Sequence, residues 1–250
     1  MDEYVPCLDP PLLPTEVGGH LSPSSVILDD TAYISADAVS NATTAVGQMS
    51  TGAPIHVSFC LTRPPRLSYI CVHFPGPDVG TVWTPPPAPP PTHANLALLR
   101  VSIPGSLRVN KHCNFDYFVY AARPRPGASS LDLLPKPTGF RRFRDQDAAI
   151  MRCPGGSRYV ITVLRNILGP MEWSLQLYDS DTNCWTSKPL PPVEAPERDR
   201  VLPIPDSATE VLFHDTTKVI ALESTTIGWV DLWRGILFCK DDIHRQPNFD

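Results

Sequence analysis

The chain has 250 residues, 42 % of them apolar and 19 % charged, with a formal net charge of −5. That length can bury a full core as one large or two small domains, and the composition excludes a wholly disordered chain. The acidic balance gives no reason to expect nucleic acid or an anionic membrane as a partner. The 30 prolines are about twice average usage. Proline breaks helix interiors and central strands, so the fold should be loop-rich with short strands.

Residues 1–24 hold five prolines, a Gly-Gly pair and no periodicity, and read as a disordered leader. The start, Met1-Asp2-Glu3, lacks a basic segment and a long apolar run, so no signal peptide is expected. No stretch approaches a membrane span. Asn41-Ala42-Thr43 fits the glycosylation pattern, a chance match in a protein that is not secreted.

From Val26 the texture changes. Ile55, Val57, Phe59 and Leu61 alternate with His56, Ser58 and Cys60, a period of two that marks a strand with one buried face. A Pro64-Pro65 turn follows. Leu67 to Phe74 is apolar on both faces and reads as a central strand paired with the first. Pro85 to Pro91 should be an extended excursion, a surface loop or an SH3- or WW-type ligand. Further strands are expected at Leu96–Ile103, Asp116–Ala121 and Tyr159–Leu164. Asp145 to Arg152 fits either a turn or two of helix or the end of a strand.

In the next hairpin Trp173, Leu175 and Leu177 alternate with polar residues. Asp179 to Asn183 supplies the turn, and Cys184-Trp185-Thr186 starts the return. Lys218–Leu222 is another strand. Trp229 to Cys239 is a last hairpin turning at Gly235, with apolar surface that should pair with something. Only 241–250 remain, a tail, so a C-terminal part is expected to be missing. The pattern predicts an all-β fold of short antiparallel strands and hairpins, propeller-like and incomplete.

Ser50-Thr51-Gly52, Ile55 to Cys60, Pro64-Pro65, Ser68-Tyr69, Cys71-Val72-His73, Pro75-Gly76 and Asp116 to Tyr120 occur in one order, closed by the Trp229–Cys239 hairpin. This set resembles the large, mostly grass family catalogued as domain of unknown function 1618 (DUF1618). The β-rich segment 25–240 is similar to that family's N-terminal region and the start of its domain. The resemblance implies an all-β, propeller-like plant protein and no catalytic residues. Lys240 departs from the family's pattern, which has Asp there, and the family continues with more strands. Leu177-Tyr178-Asp179 with Cys184-Trp185 also looks like the blade hairpin of kelch and F-box-associated propellers, where the Trp packs between sheets.

No nucleophile elbow, zinc-protease helix or phosphate loop occurs in the sequence. The seven cysteines (Cys7, Cys60, Cys71, Cys113, Cys153, Cys184 and Cys239) are scattered. They point to a reducing compartment without a disulfide framework. His56 and Cys60 share one strand face, and Cys71 and His73 share another. Whether the faces coincide depends on register. The spacing lacks the tight ligand pairs of zinc sites, so no metal is expected. Asp29-Asp30 and Asp241-Asp242 read as solvated turn charges, since strand neighbours point to opposite faces. Arg141-Arg142-Phe143-Arg144 is the one basic patch, with Phe140 and Phe143 interleaved, and reads as a charged loop. Trp173, Trp185, Trp229 and Trp233 fit packing between sheets.

The expected function is that of a soluble, intracellular interaction module of cytoplasm or nucleus. It would be non-enzymatic, without cofactor, and bind an unknown protein partner. The alternatives are a hydrolase-like enzyme whose site is assembled from dispersed residues, and a truncated fragment without function.

Overall fold

In the computed structural model, the described residues are 25–35, 37–74, 92–103, 115–125, 127–136, 143–166, 173–190, 214–222, 226–233 and 235–240. The expected leader, the Pro85–Pro91 excursion and the tail lie outside them. Every regular element described is a strand, except one 3-10 turn at Asp145–Asp147. The fold is therefore all-β, as the hairpin pattern predicts. Among the described residues no helix is long and apolar enough to cross a membrane.

The chain divides into two compact units: Met1–Pro90 with Asn95–Lys136, and Pro91–Ala94 with Pro137–Asp250. In the first, β1 (Ile27–Ile34), β2 (Ala45–Gln48), β3 (Pro54–Cys60) and β4 (Leu67–His73) form a sheet in the order β1-β4-β3-β2. β4 is central, as its two apolar faces predict. Its neighbour β1 runs parallel to it, with a bulge between Leu28 and Ala32. Next come the two-residue β5 (Thr92–His93), which groups with the second unit, and β6 (Leu96–Ser102), β7 (Phe115–Ala121) and β8 (Ser130–Leu133). The last three pair in sequence.

The inner faces of the two sheets of this unit share one core. Ile55 and Val57 from β3, Ile70 and Val72 from β4, Leu99 from β6, and Phe118 and Tyr120 from β7 are all buried in it. Asp116 lies at the end of the core face of β7. Its Oδ2 accepts the Ser50 backbone N–H at 2.8 Å, and the Lys136 ammonium stands 3.7 Å from Oδ1. The carboxylate thus ties the Met49–Ala53 turn to the second sheet.

In the second unit, β9 (Ala148–Arg152), β10 (Tyr159–Asn166), β11 (Trp173–Asp179) and β12 (Cys184–Pro189) form an antiparallel sheet. The region that fitted either helix or strand is a single 3-10 turn leading into β9. β13 (Lys218–Leu222), β14 (Thr226–Asp231) and β15 (Gly235–Lys240) make a three-stranded antiparallel sheet. Met151, Val160, Leu175, Ile227 and Trp229 anchor the common core of the two. The Trp229 indole N–H donates to the Asp147 carbonyl at 2.8 Å. The β11–β12 turn is fixed by Arg158. Its guanidinium meets the Asp179 carboxylate through Nη2 at 2.6 Å and Nε at 3.2 Å and holds that carboxyl below its usual range.

Gly47 shows how closely β2 approaches β8. A Cβ at this position would lie 2.8 Å from the Leu131 carbonyl oxygen, which is backbone and cannot swing away. Gly47→Ala is expected to lower unfolding free energy by about 1–3 kcal/mol through overpacking. Gly156→Ala, whose Cβ would meet nothing nearer than 3.9 Å, should change it by less than about 0.5 kcal/mol. Urea denaturation of the two variants checks both.

Candidate functional site

The β3–β4 register decides whether the histidines and cysteines share a face. His56 lies opposite His73, Ser58 opposite Cys71, and Cys60 opposite Tyr69. Directly opposed residues point the same way, and the face repeats every second residue. All six side chains therefore stand on the outer face of this sheet, away from the core that buries Ile55 and Val57. Tyr33 of β1, registered with Cys71, joins them.

The set does not converge on one point. At one end the His56 and His73 rings meet edge to face, centroids 5.8 Å apart, and His73 Nδ1 lies 3.0 Å from the Ser35 carbonyl oxygen. In the middle, the Ser58 hydroxyl donates to the Val39 carbonyl at 2.6 Å and lies 2.8 Å from Thr44 Oγ1. The serine is thus bound to the 37–44 segment that lies on the face, and it is not paired with a histidine. At the other end Cys60 and Cys71 bring their sulfurs to 4.0 Å. Tyr69, Tyr33 and Val39 complete this buried cluster. The Tyr33 and Tyr69 rings pack edge to face at 5.3 Å. Among the described residues no three His, Cys, Asp or Glu side chains gather closely enough to hold a metal ion.

The two thiols differ electrostatically. The hydrogen bond between the two sulfurs, against the desolvation of burial, brings the Cys60 pKa from 9.0 down to about 7, and the Tyr69 hydroxyl lowers it further. The same bond, with burial, pushes the Cys71 thiol up. Burial and the Cys60 charge push Tyr69 up as well.

The other sequence candidates fall elsewhere. Asp29 accepts the Tyr33 hydroxyl at 2.9 Å, which serves β1 rather than an acid–base pair; Asp241 and Asp242 lie outside the described residues. Of the basic patch, Phe143 is buried and packs near Trp185, ring centroids 6.2 Å apart. Arg144 binds Asp215 at 2.6 Å and Asp147 at 3.1 Å. Neither residue is presented for stacking on a base. Phe140, Arg141 and Arg142 lie outside the described residues. Asn41 is exposed, but its side chain donates to the Phe59 carbonyl and accepts from Thr43. It closes a turn.

The tryptophans divide. Trp173 and Trp229 are buried in the second unit's core, and Trp185 packs at 5.4 Å on Tyr178. Trp233 departs from the expected packing role and is 88 % exposed. The Asp231 carboxylate fixes its turn, accepting the Trp233 N–H at 2.9 Å and the Asp215 N–H at 2.8 Å. Beside it the outer face of β13-β14-β15 carries Ile220, Leu222, Ile236 and Phe238, with Phe238 58 % exposed. Gly228 lies in the middle of that face. A Cβ there would stand 3.1–3.2 Å from Ile220 Cγ1, Ile236 Cγ2 and Phe238 Cε1, so these side chains close over the glycine into one apolar surface.

No family model, curated protein or solved structure matches this chain.

The lowered Cys60 pKa has a consequence for stability. The folded state sheds this proton near pH 7 and the unfolded chain near 9.0. The stabilisation is present above the unfolded value and is lost as pH falls through the folded one. The urea midpoint should therefore rise between pH 7 and 9, and Cys60→Ala should remove that part of the rise. Equilibrium unfolding at pH 6, 7, 8 and 9 tests it.

Proposed function

We propose that this chain is a non-enzymatic protein-interaction module of the family of domain of unknown function 1618. Its binding surface is the outer face of β13-β14-β15 together with the Leu232–Trp233 turn. The observation that carries this reading is Trp233, 88 % exposed on a turn that a buried carboxylate holds from two sides. The backbone of this turn is already fixed, so binding need not order it, and tryptophan is among the residues that dominate interface energies. Leu232, Ile236 and Phe238 extend the patch, and contiguous apolar surface of this kind marks interaction sites. The family assignment rests on the ordered motif set from Ser50 to the final hairpin. The partner is a protein that offers an apolar pocket or groove to the indole.

Trp233→Ala and Phe238→Ser should each reduce capture of a plant-extract protein by the immobilised chain at least tenfold. Trp233→Ala should shift stability by less than about 0.5 kcal/mol, and Phe238→Ser, which also removes packing over Gly228 within a strand, by about 1 kcal/mol. Undiminished capture by the two folded variants would remove this face from the interaction. Concentration-dependent self-association lost in the same variants would replace the partner with a second copy of the chain.

A further inference from the structure

The Cys60–Cys71 pair lies outside the proposed binding surface and has its own chemistry. The two cysteines are diagonal across the β3–β4 ladder, because Cys60 registers with Tyr69 and Cys71 with Ser58. Diagonal positions place Cα atoms about 7–8 Å apart. A disulfide tolerates up to about 6.8 Å, so direct S–S closure would require the strands to move. Yet the sulfurs already face one another at 4.0 Å. An atom between them removes the misfit. With metal–sulfur bonds of about 2.3 Å, two sulfurs stand ~3.8 Å apart at a tetrahedral angle and ~4.6 Å apart in line. A two-coordinate ion prefers the in-line arrangement, so the two sulfurs part by ~0.6 Å when such an ion enters.

The surroundings select the ion. Zinc in structural sites takes four ligands, and among the described residues no third His, Cys, Asp or Glu reaches the pair. Tyr33, Tyr69 and Val39 enclose it instead. A buried site with two sulfurs, the Tyr69 hydroxyl beside Cys60, suits a soft ion bound by few ligands, and thiolates favour Cu(I) among the biological metals. The cover is slight at one point. Val39 covers the pair, half-buried in an irregular segment whose neighbours Asp37, Ala38 and Ser40 are exposed.

We propose that Cys60 and Cys71 form a two-sulfur binding site for a thiophilic closed-shell cation of the Cu(I) class. Each thiol that ligates releases its proton to solvent, and no electron transfer is involved. The site is independent of the apolar face on β13-β14-β15.

The test is an anaerobic titration of the full chain with Cu(I) against a chromophoric copper(I) chelator. Wild type should withhold one equivalent more than Cys60→Ser or Cys71→Ser, whereas Cys184→Ser, which alters an exposed cysteine, should match wild type. A second measurement needs no variant. One equivalent of Cu(I) should protect Cys60 and Cys71, peptide by peptide, from alkylation of the native protein. It should also show about two sulfur neighbours per copper by X-ray absorption. Equal retention by the folded serine variants would overturn the proposal. So would protection at other cysteines only, or oxidation of the pair to a disulfide with no copper bound.

Discussion

The register between β3 and β4 is the constraint on which the first unit depends. His56 against His73 and Cys60 against Tyr69 is one choice among several that two short strands permit. It is enforced by what lies on the reverse face. Ile55, Val57, Ile70 and Val72 are buried together with Phe118 and Leu99. A slip of one residue would carry that whole set to the outside. Each such side chain contributes roughly 1.5–3 kcal/mol when buried, so the core sets the pairing and the outer face inherits it. The meeting of two thiols at 4.0 Å is thus a by-product of packing on the opposite side of the sheet.

The same logic separates the two tryptophans of the last hairpin. Trp229 sits on the inward phase of β14, reaches the core and gives its indole proton to Asp147. Four residues on, the chain has left the strand. Asp231 ends β14 with its carboxylate turned to backbone N–H groups at 215 and 233, and the ring of Trp233 is carried into solvent. The outer phase of the sheet carries Ile220, Leu222, Ile236 and Phe238 beside the polar Lys218 and Thr226, and Gly228 lets the side chains of β13 and β15 meet across it. A larger residue there would part them and break the surface into ridges. Trp229 and Ile227 on the inner phase are buried in the core, whereas Phe238 and Ile236 on the outer phase remain exposed.

Much of the strand pattern was legible because alternation and turn chemistry are local. β3, β4, β6, β7, β10, the β11–β12 hairpin and the β14–β15 hairpin stand within a few residues of their expected places. β1 was not legible. Asp29 and Asp30 interrupt its apolar run, and its bulge breaks the period. β2 has four residues including a glycine whose purpose, room for the Leu131 carbonyl, appears only in three dimensions. The candidate site divides in the same way. Sequence assigned His56 and Cys60 to one face and Cys71 and His73 to another, but could not align them, since register is a tertiary property. It also gave no sign that Trp233 would differ from Trp229, because exposure depends on where a turn ends.

The pleat explains why histidines and cysteines on one face remain two separate pairs. Same-face neighbours along a strand are two residues apart, about 6.6–6.8 Å at the usual rise. The row of Ser58 and Cys71 intervenes between the histidine row and the row of Cys60 and Tyr69. Ligands of one ion must all come within about 2.0–2.3 Å of it, which side chains spread over three rows of a sheet do not achieve. The diagonal across two adjacent rows is the longest step that short side chains can close, and Cys60 and Cys71 occupy it. Imidazoles at 56 and 73 are directly opposed and so pack as rings, with His73 turned to the Ser35 carbonyl. The face therefore offers a sulfur pair at one end and an aromatic contact at the other, and its chemistry is that of the pair.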